Sequence, residues 1–581
     1  MTEIQRGLEN ARPDARGAAF EALCASLKST TLPTPEEVAM LQRFLVVSAK
    51  EMTASTRMNS LNSLKTVFFR IKEFLRIQTK GNSALLRLPE AQRHEQQQAL
   101  VHEVARAQAL QRWIELFIVT SVYPGALVQR AIIGLEVLLL YVQVFGLDDS
   151  ELLRTPHMVT TLLNMLIGSW DVIRALANTI LDLYPADLPG FTRPEELEML
   201  WQWALTLCVS PRQRESDAGA HFMQLLYRRS ASLAAQNVAA LPSTQQTSAQ
   251  ALAAPSTRFV VKLTDLIDER LNASMDLSKG ESPLVHGLLL SLRYIIDSTS
   301  FKPKDQDAAA IEEWKYALRR VFSCVQRALQ LSLAVVGDAT SGVGDEKLSA
   351  TFEAGVVGEV SAAGGKTAAI PLRVDCRGHL ILEDGATANE EEAADTEQRA
   401  VVGSWLAARE CGAILNTLLR RVPLPTGDAA TDLFPAELAQ AGGEMLLNSL
   451  FELKHKGAVA TAYESFEGIC KSLLAHGERN AMLGRLPSVW AERLLDRLER
   501  SEQQFILRRS SGFAYSFVAI LRAEPRNTAA LILPRVMSNL LRLASQGHGC
   551  ACADTAEPPG VALSRARAEH PQADFAGRRA R

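Results

Sequence analysis

The chain has 581 residues, with 62 basic and 65 acidic side chains and a formal net charge of −3. This balance excludes a protein that coats nucleic acid through overall positive charge, although it leaves room for a local basic patch. Hydrophobic residues make up 47% and aromatic residues 6% of the chain, and the abundance of Leu and Ala favours helices over strands.

Apolar residues recur at helical spacing along most of the chain. In the runs 135–142 and 533–541, leucines and other apolar residues stand at positions i, i+3, i+4 and i+7. Short turn signals such as Tyr123-Pro124-Gly125 separate the runs. Many helices joined by short turns predict an all-α, HEAT- or armadillo-like α-solenoid. We assign helical repeats to residues 1–228, 258–336 and 401–545.

The most apolar stretch, Ala131–Phe145, contains Glu136 and Gln143. It is shorter than the roughly 20 residues that a membrane-spanning helix needs, so we predict no membrane insertion. The eight cysteines are scattered, mostly inside apolar helical patterns. That usage is typical of a reducing compartment, so we expect a cytoplasmic protein without a disulfide framework.

Three segments lack helical periodicity. Residues 229–257, rich in Ala, Ser, Gln and Thr, are predicted to be a flexible linker. Residues 337–400 contain nine glycines and carry a net charge of −8, which predicts a long acidic loop. A short hairpin is plausible there within Ile370–Leu382, around Asp375–His379. Residues 546–581 are predicted to form a disordered tail.

Catalytic and cofactor motifs are weak. Gly364-Gly365-Lys366-Thr367 imitates the end of a phosphate-binding loop, but the first glycine of that motif would fall at Val360. Cys376 and His379 have half the spacing of a zinc site, and no partner pair is near in the sequence. We therefore predict no catalytic residue, no cofactor and no metal, and hence a protein that is not itself an enzyme.

Positive charge is concentrated near the end of the helical region. Between Arg479 and Arg542 there are 11 arginines, no lysines and five acidic residues, and arginine forks suit phosphate groups. Within this zone, the stretch Arg508-Arg509-Ser510-Ser511-Gly512 separates two apolar helical patterns, so a helix N-terminus adds partial positive charge. The alternative is that the arginines cover an ordinary surface and that Gly512 permits close packing. Lys454-His455-Lys456 is a second candidate contact, with surface solvation as its alternative.

At these residues the sequence resembles a known family. The run Leu507-Arg508-Arg509-Ser510-Ser511-Gly512-Phe513-Ala514 is similar to the Arg-Arg-Ser-Ala-Gly-Leu-Pro signature of the THADA (thyroid adenoma-associated protein) family, with Ser511, Phe513 and Ala514 in place of Ala, Leu and Pro. Further similar stretches follow the order of the family: His286–Leu288, Leu292–Tyr294, Asp375–His379, Trp405–Glu410, Leu453–Ala458, Ala523–Pro525 and Leu533–Arg535.

The resemblance implies a non-catalytic scaffold. Members bind a separate S-adenosylmethionine-dependent methyltransferase and direct it to the 2′-hydroxyl of nucleotide 32 in the tRNA anticodon loop. The implied partners are that methyltransferase and tRNA, and the scaffold itself holds no cofactor. In this reading Arg508 and Arg509 contact tRNA or the partner, and Ser510 and Gly512 shape the turn. A helical adaptor for proteins alone, with no RNA role, would explain the architecture equally well.

Overall fold

The computed structural model describes residues 2–26, 28, 30–48, 53–85, 90–185, 191, 193–235, 254–274, 284–302, 307–342, 373–374, 380–381, 388–427, 431–453, 456–499, 512–525 and 532–546. The chain divides into two compact units. The first comprises Met1–Trp203 with Arg228–Pro242, and the second comprises Ala204–Tyr227 with Ser243–Arg581. The described part of both units is helical apart from one short hairpin, which confirms the all-α solenoid class.

The first unit is built from consecutive helices, and α9 and α10 contribute residues to both units. The helices are α1 (Thr2–Leu8), α2 (Pro13–Cys24), α3 (Pro35–Ser48), α4 (Ala54–Leu85), α5 (Glu90–Ser121), α6 (Val128–Phe145), α7 (Pro156–Met165), α8 (Asp171–Leu183), α9 (Pro194–Cys208) and α10 (Gln213–Ala235).

Helix α6 is the most apolar helix of this unit. It packs against α4, α5 and α8, and ten of its residues are buried. It ends at Gly146, whose φ of +82° is a backbone conformation that glycine adopts without strain. With 18 residues, α6 is long and apolar enough to cross a membrane by length and composition alone. The helix is three residues longer than the stretch Ala131–Phe145, and the absence of membrane insertion stays a prediction.

Arginine side chains close several turns of the first unit. Arg70 donates to the carbonyl of Thr31 at 2.9 Å, and Arg174 donates to that of Gly168 at 2.7 Å. Arg229 donates to the carbonyls of Tyr184 and Pro185, each at 2.8 Å. Carbonyl groups at the end of a helix have no partner inside that helix. The guanidinium groups donate to carbonyls just after α7 and α8, and in the case of Thr31 to a carbonyl in the segment before α3.

The second unit continues with nine more helices in the described residues. They are α11 (Pro255–Ser274), α12 (His286–Ser298), α13 (Ala308–Gly342), α14 (Ala388–Arg421), α15 (Ala436–Glu452), α16 (Lys456–Ala475), α17 (Ala481–Glu499), α18 (Gly512–Ala523) and α19 (Ile532–Gln546).

These helices form two layers. In one layer α12, α14, α16 and α18 pack side by side in that order. In the other, α11 packs against α13, which is followed by α15, α17 and α19. Successive helices therefore alternate between layers, as expected for stacked helix pairs. Every second helix becomes a neighbour, so residues far apart in sequence come into contact, such as Arg493 with Glu444 and Arg293 with Glu410.

The helices extend into the segments predicted to be irregular. Helix α10 runs to Ala235 and α11 starts at Pro255, so helices occupy both ends of the predicted linker 229–257. Helix α13 runs to Gly342 and α14 starts at Ala388, within the predicted acidic loop 337–400. Residues 388–400 are rich in Ala and Glu, which are strong helix formers, and a charge count does not separate a charged helix from a loop.

A short hairpin lies between α13 and α14. Strand β1 (Arg373–Val374) pairs antiparallel with β2 (Leu380–Ile381), with Arg373 opposite Ile381. Both strands fall within the segment Ile370–Leu382, where the sequence predicts a hairpin. Gly364–Thr367, Cys376, His379 and the predicted tail after Gln546 lie outside the described residues.

Candidate functional site

Most of the predicted contact residues lie outside the described part of the chain. Arg508, Arg509, Ser510, Ser511, Lys454 and His455 are among them. Lys456 is the first residue of α16, but its side chain is not among those described. Gly512 is the first residue of α18 and is buried. The site is therefore defined by Gly512 and by the described neighbours of both basic stretches.

Gly512 lies directly against the end of α15. A Cβ atom on Gly512 would stand 1.7 Å from the backbone oxygen of Leu450, far inside any van der Waals distance. Next to this contact, the rings of Phe451 and Phe513 lie 5.9 Å apart. We call these four residues the Gly512 junction. The sequence left two roles open for Gly512, the shaping of a turn and close packing. The structure shows close packing, and the φ of Gly512 is not positive, so the backbone conformation does not itself require glycine.

Helix α18 begins at Gly512 without the family's proline. The exposed residue Ala514 occupies that position, in the first helical turn, where proline and alanine are both tolerated. The hydroxyl of Ser516 donates to the carbonyl of Gly512 at 2.8 Å and is fully buried. Phe513, which replaces the family's leucine, is 6% exposed. The apolar character of the signature is thus retained at that position.

The junction joins the flanks of the two predicted basic stretches. Phe451 precedes Lys454 by three residues, and Gly512 follows Arg509 by three residues. Phe451 and Gly512, which are 61 positions apart in sequence, therefore belong to one helix–helix contact. No local pattern indicates this proximity, because it depends on the packing of α18 against α15.

Most of the described arginines of this zone already have a partner. Arg493 of α17 pairs with Glu444 of α15 at 3.1 Å, and Arg535 of α19 pairs with Glu492 of α17 at 2.6 Å. The remaining contacts join Arg542 to Glu499, Arg522 to the Tyr463 hydroxyl, and Arg497 to the ring of Phe451. Each contact links two helices. For the three arginines paired with glutamates, the structure favours surface ion pairing over a free phosphate site.

A second cluster gathers two other stretches that resemble the family. The side chain of Glu410 in α14 is 3% exposed and accepts hydrogen bonds from two arginines. Its Oε2 lies 2.8 Å from Nε of Arg293 in α12, and its Oε1 lies 2.9 Å from the guanidinium of Arg409. Arg409 also lies over the ring of Trp405, 5.6 Å from its centroid. We call Glu410 with these three residues the Glu410 cluster.

The Glu410 cluster continues towards α10 through Tyr294, whose hydroxyl donates to the carboxylate of Asp217 at 2.6 Å. The ring of His221 stacks on that of Tyr294 at 4.7 Å. Trp405 and Arg409 also line a pocket with Leu453, the residue before Lys454. Sequence reasoning recognised these stretches one by one and missed that they form one network.

Among the described residues, no group of three or more His, Cys, Asp or Glu side chains could hold a metal ion. The five described cysteines are buried free thiols. Burial raises the pKa of Cys24 and of Cys208 to about 12, which leaves these thiols uncharged and poorly nucleophilic at neutral pH.

His286 makes the stability of the second unit depend on pH. The residue is 2% exposed, and its Nε2 lies 3.0 Å from the hydroxyl of Ser216. Burial, with a smaller contribution from the positive charge of Arg409, lowers the pKa of His286 to about 4. In the unfolded chain the pKa of a histidine is about 6.5. The contribution of His286 to the free energy of unfolding is therefore fully present above that pH and is lost as the pH falls towards 4. Between pH 7 and pH 5 we expect this group to remove about 2 kcal/mol from the free energy of unfolding.

Urea unfolding of the wild type and of His286→Asn at both pH values checks this expectation. The variant should lose that part of the pH dependence, whatever its absolute stability. His102→Gln serves as the matched control, because the side chain of His102 is 76% exposed. Equal pH dependence in the wild type and in His286→Asn would contradict the assignment.

Two family models and the curated relatives point to the same protein family. The family model described as THADA/TRM732, DUF2428 matches residues 316–572, and the model described as Trm732, TPR repeats matches residues 2–184. Among curated relatives, the mouse tRNA (32-2′-O)-methyltransferase regulator THADA is 20% identical over 93% of this chain. The fission yeast (Schizosaccharomyces pombe) tRNA (32-2′-O)-methyltransferase regulator trm732 is 24% identical over 73% of this chain.

The chain spans 29% of the length of the mouse relative and 25% of the fission yeast relative. A solved structure of yeast importin-β (Kap95p) aligns with 94% of this chain and 70% of its own, at 11% identity and a TM-score of 0.25. The two family models and the curated relatives agree with the resemblance seen in the signature residues, which include Gly512 at the start of α18. Together they show that the chain belongs to the THADA/Trm732 family.

Proposed function

We propose that this chain is a non-catalytic part of a regulator of tRNA 2′-O-methylation. It binds a separate methyltransferase subunit and positions tRNA so that the ribose of nucleotide 32 reaches that enzyme. The names of the relatives support the regulatory role. The Gly512 junction supports the proposal for this chain, because its residues flank both Lys454–Lys456 and Arg508–Arg509 in the sequence.

In this proposal the chain binds RNA phosphates, and the partner subunit performs the chemical step. Arginine and lysine side chains of the two basic stretches would hold the RNA backbone, and such contacts fix orientation without reading sequence. The unstacked bases of the anticodon loop then remain available to the partner. Holding the ribose hydroxyl close to the methyl donor is a proximity effect, which a subunit without catalytic residues can supply.

The proposal places the methyl donor on the partner and assigns no cofactor to this chain. It also assigns a cytoplasmic location. The buried free thiols at five described positions support the second assignment, because such cysteines are usual in reducing compartments. A purified chain that methylated tRNA without any partner would contradict the non-catalytic assignment.

The test is complementation of cells that lack their own regulator. Replacing Arg508 and Arg509 together by alanine should abolish ribose methylation at nucleotide 32, because both forks that hold phosphate are removed. The readout is methylation mapping of tRNA from the complemented cells. The matched control is Arg420→Ala with Arg421→Ala, an adjacent pair in the same unit whose side chains are 57% and 40% exposed. Full activity of the Arg508/Arg509 variant would remove this site.

The adaptor alternative predicts a different outcome in a binding assay. A scaffold for proteins alone would show no tRNA binding, with or without the methyltransferase. An RNA-positioning subunit should bind tRNA with an affinity that falls steeply as salt rises, since each phosphate contact releases counterions.

A further inference from the structure

Helix α19 is attached to the second unit by few buried side chains. Among its described residues, Ile532 and Val536 are buried, at 6% and 2% exposure, and the main described neighbour of the helix is α17. Three large apolar side chains, those of Leu533, Met537 and Leu541, remain 43% to 55% exposed. Packing of the apolar face supplies most of the stability of a helix in a protein, so the apolar anchor of α19 is small.

Helix α17, the neighbour of α19 in the same layer, is anchored differently. Seven of its residues are buried, and among them the side chain of Trp490 is fully buried. An ion pair between Arg493 and Glu444 joins α17 to α15. The two helices therefore carry the same kind of surface ion pair, but α17 buries far more apolar area than α19.

Two ion pairs join α19 to α17. Arg535 pairs with Glu492 at 2.6 Å, and Arg542 pairs with Glu499. The four side chains are between 42% and 63% exposed. Ion pairs with this exposure are weak and are screened by salt. Because the apolar anchor of α19 is small, two weak pairs are enough to shift the balance between the packed and the detached helix.

We propose that α19 is an electrostatic latch, a helix that detaches from α17 while the rest of the second unit stays folded. Segments with few buried contacts open at a lower free energy than the core of the same protein. Opening separates Arg535 and Arg542 from their glutamates and uncovers Ile532 and Val536 beside the exposed Leu533. Any group that competes for the two arginines therefore uncovers an apolar surface. This inference does not depend on the proposed function.

The test is hydrogen–deuterium exchange of the full chain, read by mass spectrometry on peptides from α17 and α19. Between about 50 and about 500 mM sodium chloride, we expect exchange of the α19 amides to become about threefold to tenfold faster, because salt screens both ion pairs. Exchange in α17 should change by less than about twofold. Replacing Arg535 and Arg542 together by glutamine should give the same acceleration at low salt, with little further effect of added salt.

Arg493→Gln is the matched control, because it breaks an exposed ion pair of the same layer and should leave the exchange of α19 unchanged. Val536→Ala weakens the apolar anchor instead, so it should accelerate exchange in α19 at every salt concentration and leave α17 unchanged. Exchange in α19 that is as slow as in α17, or that does not respond to salt, would overturn the latch. Equal acceleration of both helices by Val536→Ala would also overturn it, because α19 would then open only with the whole unit.

Discussion

Replacing Gly512 by alanine is expected to lower the free energy of unfolding by about 3 kcal/mol, in the upper range for overpacked sites. The added Cβ would meet three backbone atoms of Leu450, the carbonyl oxygen at 1.7 Å, the carbonyl carbon at 2.6 Å and the Cα at 3.3 Å. Backbone atoms cannot rotate away as a side chain can, so α18 must move off the end of α15. Urea unfolding followed by circular dichroism measures the loss.

Gly442→Ala is the control for that experiment. Gly442 is also a buried helical glycine of the second unit, but its nearest atoms would be the side chains of Leu415 and Phe322 at 3.5 Å. That is ordinary contact, and alanine is the better helix former by roughly 0.5 to 1 kcal/mol. The two alanine variants should thus change stability in opposite directions. A Gly512→Ala protein as stable as Gly442→Ala would show that α15 and α18 do not meet as described.

Replacing Glu410 by glutamine should cost about 3 kcal/mol, the usual range for breaking a buried ion pair. Glu410 is the shared acceptor of Arg293 and Arg409, whose side chains are 30% and 25% exposed. Without its charge, Arg293 and Arg409 both lose the carboxylate that pairs with them. The cost appears as a lower midpoint in urea unfolding, and it should affect the packing of α12 against α14.

Glu444→Gln provides the comparison for Glu410→Gln. Glu444 also joins two helices through one arginine, but its side chain is 34% exposed and that of Arg493 is 57% exposed. Exposed pairs of this kind contribute less than about 1 kcal/mol. If the two glutamine variants lost equal stability, the burial of the Glu410 cluster would have no energetic consequence and the described network would be wrong.

The helices themselves follow from local spacing. The apolar runs 135–142 and 533–541 predict helices, and α6 and α19 contain them. The limits of the helices are harder to predict, as α14 shows. Its first turns are rich in Ala and Glu and carry a strong negative charge. A helix of that composition and an acidic loop have the same charge count. Composition alone therefore predicts a loop for residues 388–400, where the structure has a helix.

The partners of charged residues could not be predicted from the sequence. The excess of arginine between Arg479 and Arg542 indicates a basic surface. In the structure, however, Arg493, Arg535 and Arg542 form ion pairs with glutamates of neighbouring helices. Each of those glutamates lies more than 40 positions earlier in the chain. The same limit hides Arg497, whose partner is an aromatic ring on another helix.

The sequence by itself determined the helical class, the family signature and the two basic stretches, because each depends on residues close together along the chain. Only the tertiary structure decided why Gly512 must be glycine and that Phe451 and Phe513, which flank the two basic stretches in the sequence, come into contact. The reason is that Leu450, which any Cβ at Gly512 would strike, lies 62 positions earlier. It becomes a neighbour only when α15 and α18 pack, and contacts of that sequence separation leave no periodic pattern.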